Sequence, residues 1–151
     1  MSVAGLVPIE DASRRIPRDA KILGVIRNPV DRLVSSVRMM CRSVDQADEM
    51  LEKAIAGFDK SKERIAYRVY APQSSYVKIS PRIKLFTFEM LPDLVRSIGW
   101  VKKIPHLNSA HPDLSFDEVK NRPLFNSALN TYKEDFNLYE TTVSRQGGAD
   151  V

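Results

Sequence analysis

Little in this chain announces a function at first sight. It has one cysteine, Cys41, which excludes an intrachain disulfide and leaves no sign of a secretory framework. It has two histidines, His106 and His111, five apart in a stretch with Asn108, Ser109 and Asp113. That is too few ligands of suitable geometry for a metal site, so none is expected. No apolar stretch approaches the ~20 residues of a membrane span. The opening Met1–Glu10 is too soon broken by Pro8 and Glu10 to serve as a signal peptide. Lysines and arginines are not clustered with interleaved aromatics, which counts against nucleic acid as a partner. The expectation is a cytoplasmic protein with no membrane partner.

What is present is an ordinary globular composition: 151 residues, 43% hydrophobic and 28% charged, enough for one domain with a core. The net charge of +4 and pI near 9.3 favour anionic partners. The most informative stretch runs from Lys21 to Ser35. Lys21–Ile26 is a short apolar run that reads as a buried strand, ending at Arg27. Asn28 suits a helix N-cap and Pro29 the first helical position, where its missing N–H costs nothing. An arginine leaving a strand beside a helix start is a good place for an anion. Asn28, Arg32 and Ser35 fall along one helix face, and Leu33, Val37, Met40, Cys41 and Val44 along the apolar one. On that apolar face Cys41 reads as an inert core thiol.

Further along, Ser43 caps a predicted helix over Val44–Phe58, with Asp45, Asp48 and Glu49 in its first turn. A turn of helix is predicted over Ile9–Arg15 and a charged helix over Asp59–Tyr70. Tyr76–Ile79 reads as extended, and Arg82–Phe88 alternates as a second strand. Leu91, Leu94, Val95 and Ile98 mark a short helix ending at Gly99. Lys102–Ser115 reads as a loop. Pro123–Tyr139 reads as one helix carrying Leu124, Ala128, Leu129, Tyr132, Phe136 and Tyr139, with the three aromatics packed in the core. Arg38 and Arg42 read as a solvated face beside Asp31 and Asp45. Strands separated by helices imply parallel pairing in a helix-rich α/β fold with a small sheet.

Arg27-x-Pro29-x-x-Arg32-x-x-Ser35 at this junction resembles the 3′-phosphate motif of sulfotransferases that use 3′-phosphoadenosine 5′-phosphosulfate (PAPS), most nearly the carbohydrate branch. Ala71–Tyr76, Lys84–Leu91, Pro105–Ser109 and Tyr132–Tyr139 follow in that family's order, so the resemblance covers about Ile16 to Tyr139. It implies a truncated P-loop-like sulfotransferase fold and contact of Arg27 and Ser35 with the 3′-phosphate of PAPS or of its product, adenosine 3′,5′-bisphosphate (PAP). Arg32 matches the motif's second arginine, a nucleotide-site residue whose role is more often structural. Family members begin with a strand, a Lys/Gly/Ser/Thr-rich loop and a helix that cradle the 5′-phosphosulfate. Ahead of Arg27 this chain has twenty-six residues whose only glycines are Gly5 and Gly24, so that cradle is expected to be missing. No catalytic base can be named.

Two readings follow. In one, the chain is a sulfotransferase-family protein that transfers a sulfo group to a carbohydrate-type hydroxyl once a further loop or partner chain completes it. In the other, it is a catalytically inactive sulfotransferase-like binding or interaction protein. Without a first strand the sheet would keep an open edge, which invites a homodimer or a partner chain.

Overall fold

The computed structural model describes Pro17 and residues 22–58, 69–77, 83–97 and 113–147. The predicted turn at Ile9–Arg15, most of Asp59–Tyr70, both histidines and most of the Lys102–Ser115 loop lie outside the described residues.

Two strands, β1 (Ile22–Ile26) and β2 (Ile83–Thr87), pair in parallel with Ile22 opposite Ile83 and Ile26 opposite Thr87. The α/β reading holds at this level: a small parallel sheet among many helices. Gly24 stands opposite Leu85, and a Cβ there would lie 2.7 Å from Leu85 Cδ2, so a larger residue would make the Leu85 side chain shift.

Helix α1 (Pro29–Met40) begins as its sequence dictates. Asn28 has non-helical dihedrals and its Oδ1 accepts the Val30 N–H at 2.9 Å, while Pro29 occupies the first turn. Helix α2 (Val44–Ala56) is capped by Ser43, whose Oγ accepts the Gln46 N–H. It ends at Gly57, whose φ of 88° only glycine adopts without strain. Helix α3 (Leu91–Ser97) follows a 3₁₀ turn, Phe88–Met90, at the end of β2. Helices α4 (Phe116–Lys120), α5 (Phe125–Asn130) and α6 (Lys133–Gly147) complete the described chain.

The core lies on the face of α1 that carries Leu33, Val34, Val37 and, just past its end, Cys41. Ala47 and Leu51 of α2, Val119 of α4, and Phe125 and Ala128 of α5 close around it, with Tyr70, Leu114 and Tyr132. Each large side chain removed from water contributes roughly 1.5–3 kcal/mol, so this cluster is the main apolar anchor of α1. The sequence reading of Cys41 as a core thiol is correct. It is buried, and burial pushes its pKa up to about 11, which keeps it a neutral thiol at physiological pH.

Two sequence expectations are corrected. The helix predicted over Pro123–Tyr139 is two helices, with a break at Thr131–Tyr132 where i→i+3 bonds replace the α ladder. Thr131 Oγ1 also donates to the Ala128 carbonyl at 2.7 Å, competing for the acceptor the next turn would use. Arg38 is not merely a solvated cation. Its Nε donates to the Leu114 carbonyl at 2.7 Å, tying α1 to the start of α4. Arg42 faces Asp113 at 3.5 Å with both side chains about half exposed.

Candidate functional site

Arg27 leaves β1 one residue past the last ladder pair, and Phe88 leaves β2 at the same level. This carboxyl edge, where α1 also begins, is the side on which open α/β sheets receive ligands. The Arg27 guanidinium lies 5.1 Å from the centroid of the Phe88 ring and has no hydrogen bond or ion pair among the described residues. Phe88 is 46% exposed, so the pair sits at the surface. A cation–π contact at such a site is worth about 0.5–1 kcal/mol, less than the roughly 1.5–3 of a hydrogen bond to a charged group. The ring contact is thus too weak to commit the guanidinium.

Ser35 lies about 9 Å along α1 from Pro29, six residues at ~1.5 Å each. It is half-buried, and its hydroxyl has no partner among the described residues. Arg27 and Ser35 are thus the two motif residues whose side-chain polar atoms have no hydrogen-bond partner among the described residues.

Arg32 is placed otherwise. Its Nη2 donates to the carbonyls of Ala71 at 2.5 Å and Val69 at 3.1 Å, and Nη1 lies 3.8 Å from Asp135 Oδ2. Its guanidinium stands 5.7 Å from the Tyr132 ring. Burial pulls its pKa below the ordinary arginine value, opposed by Tyr132 and Asp135, and the group keeps its charge. Its hydrogen-bonding capacity is directed into the fold, so the structural role of the motif's second arginine is the one its geometry fits. The neighbouring Ser36 Oγ also reaches the Val69 carbonyl, at 3.3 Å.

Asp135 is the centre of this arrangement and was not singled out from the sequence. Its side chain is fully buried, and its two oxygens accept the N–H groups of Gln73 at 2.7 Å and Ser74 at 2.8 Å. The signal was there: Asp135 falls three residues after Tyr132 and three before Leu138, on the buried stripe of α6. A carboxylate on such a stripe needs partners, and it has them. In the sequence Gln73 stands out only as part of the Ala71–Tyr76 stretch. Its Oε1 accepts the Arg27 N–H at 2.9 Å, and its Nε2 donates to the Arg27 carbonyl at 2.8 Å.

The rim of the site is mixed in charge. Tyr139 Oη donates to Glu89 Oε2 at 3.4 Å, and its pKa is raised first by burial and then by the nearby Glu89 carboxylate. Of the three predicted core aromatics, Tyr132 is buried with its Oη on the Tyr70 carbonyl at 2.5 Å, whereas Tyr139 is half-exposed at this rim. Among the described residues no group of three or more histidine, cysteine or acidic side chains is disposed to hold a metal ion, and no helix is long and apolar enough to cross a membrane. No protein family, curated protein or solved structure matches the chain.

Proposed function

We propose that this is a sulfotransferase-like protein that binds the 3′-phosphate end of PAPS or PAP through Arg27 and Ser35. Sulfuryl transfer to a carbohydrate-type hydroxyl then requires a 5′-phosphosulfate cradle from a further loop or a partner chain. The observation that carries the reading is the division of labour within one motif. Arg32 is held by carbonyls and Asp135, while Arg27 and Ser35 keep their polar atoms available at the end of a parallel strand and along the helix that follows it. The residues fit the group: a guanidinium supplies a planar pair of donors for a phosphate, a serine supplies one more, and the N-terminus of α1 favours negative charge. The chemistry a bound PAPS supplies is an activated sulfuryl group, and Arg27 and Ser35 orient it from the far end of the nucleotide.

Calorimetric titration tests this. PAP should bind more tightly than adenosine 5′-monophosphate, and the preference should fall with salt and disappear in Arg27→Ala. Equal affinity for the two nucleotides removes the reading.

A sulfotransferase-like interaction protein without turnover is the second reading, favoured by one observation. Leu23 and Val25, on one face of β1, are 44% and 40% exposed, beside Phe86 of β2. A sheet face of this kind, apolar but for Lys84 over the Phe86 ring, suits a partner chain or a second copy, and size measurement across concentration distinguishes these from a monomer.

A further inference from the structure

We infer that Gln73 is the positioning residue of Arg27 and that Asp135 is the anchor that holds Gln73 in place, an inference that rests on the anion-binding reading of Arg27. A carboxamide has the donor and acceptor of a peptide group. Gln73 uses both on a single residue, accepting the Arg27 N–H at 2.9 Å and donating to the Arg27 carbonyl at 2.8 Å. It thereby does for Arg27 what a neighbouring strand does inside a ladder, at the point where the β1–β2 ladder has ended. The clamp spans 46 residues of sequence, so it is a tertiary device and not a local turn.

Gln73 is itself fixed. Its N–H and that of Ser74 both donate to Asp135, whose side chain is fully buried and also faces Arg32. The Arg32 guanidinium in turn holds the carbonyls of Val69 and Ala71, two to four residues before Gln73. The segment 69–74 is thus gripped by a buried carboxylate and a largely enclosed guanidinium, and the free end of that grip is the Gln73 carboxamide on the Arg27 main chain. The backbone on either side of the Arg27 side chain is held by the clamp and by the Asn28 cap of α1. The direction in which the guanidinium leaves the strand therefore follows from Gln73. Preorganisation of this kind is what a phosphate-binding arginine needs, because the ordering cost is met in folding and not on binding.

Gln73→Met keeps length and flexibility while removing both bonds. Two readouts separate positioning from general stability. The first is amide hydrogen exchange at Arg27, which should accelerate about fivefold in Gln73→Met, as expected when a hydrogen bond worth roughly 1 kcal/mol is lost. The second is a double-mutant cycle on PAP affinity. Gln73→Met should weaken PAP about fivefold to tenfold and leave adenosine 5′-monophosphate unchanged, and the same substitution in an Arg27→Ala background should do nothing further.

Unchanged exchange at Arg27 in Gln73→Met overturns the inference. So does an equal loss of PAP affinity with and without Arg27, or an equal loss for both nucleotides. If the wild-type chain does not distinguish PAP from adenosine 5′-monophosphate, the nucleotide reading falls. The exchange measurement then decides by itself whether Gln73 positions Arg27.

Discussion

Two arginines five residues apart meet opposite fates. Arg32 faces the interior, where two carbonyls, Asp135 and the Tyr132 ring surround it. Arg27 stands at the open carboxyl edge of the sheet, with an aromatic ring beneath it and its main chain held from behind. The difference shows how a fold assigns roles to chemically identical side chains. A guanidinium whose donors are matched by the protein is a structural strut, and one whose donors are left to solvent is available to an anion. The interior site also serves the exterior one, since Asp135 and Arg32 fix the segment from which Gln73 reaches Arg27.

The comparison breaks most sharply at Asp135. Asp135→Ala removes the acceptor of two main-chain N–H groups and leaves Arg32 as a buried charge without its acid, so urea denaturation should show a loss of about 3–5 kcal/mol. Arg32→Met should approach the same loss from the other side, and in both variants the protein that stays folded should bind PAP about as weakly as Gln73→Met does, because segment 69–74 is no longer held. A loss under ~1 kcal/mol in both variants would mean that the interior network is not what holds segment 69–74.

Arg27→Ala should show the reverse pattern. PAP affinity measured by calorimetry should fall by about 1.5–3 kcal/mol, while unfolding stability changes by no more than ~0.5 kcal/mol, as for a surface substitution. Ser35→Ala should cost about 1 kcal/mol of the same affinity. Glu89→Gln, which removes a like charge from the rim, should tighten PAP by a few tenths to about 1 kcal/mol at low salt and by less at high salt.

The smallest effect lies far from both arginines. Asp48 pairs with Arg122 in a bidentate contact that holds its carboxyl below the usual aspartate range. A depressed folded-state pKa gives stability that is present above the unfolded value near pH ~3.9 and lost as pH falls through the folded one. Asp48→Asn should therefore lower the neutral plateau slightly, leave stability at low pH nearly as it is, and so flatten the acid limb below about pH 4, as unfolding curves at pH 3 and pH 6 would show.

Much of the fold was legible from short-range chemistry. The strand before Arg27, the Asn28–Pro29 helix start, the Ser43 cap and a strand within Arg82–Phe88 were all read from neighbours within one turn or one strand and are present, but the first strand is not buried as expected, since Leu23 and Val25 face solvent. Helix α4 was missed although Ser115 and Glu118 spell a capping box, with both reciprocal bonds formed. The break between α5 and α6 was missed for a different reason. Tyr132 keeps helical spacing with its neighbours on both sides, yet its hydroxyl is drawn to the Tyr70 carbonyl.

In the site, Arg27, Arg32 and Ser35 were legible as a group because their spacing is a property of one strand and one helix. Which of them would face outward was not. The sequence alone determined where the strand ends, where the helix begins and which residues share its faces, because hydrogen bonds over three or four residues decide those things. Tertiary structure decided that Arg32 is enclosed, that Asp135 is its partner and that Gln73 grips Arg27. The physical reason is that a buried charge is tolerable only where partners from elsewhere in the chain converge on it. Those partners here come from segments 37 to 103 residues away from the groups they bind, beyond the reach of any local pattern.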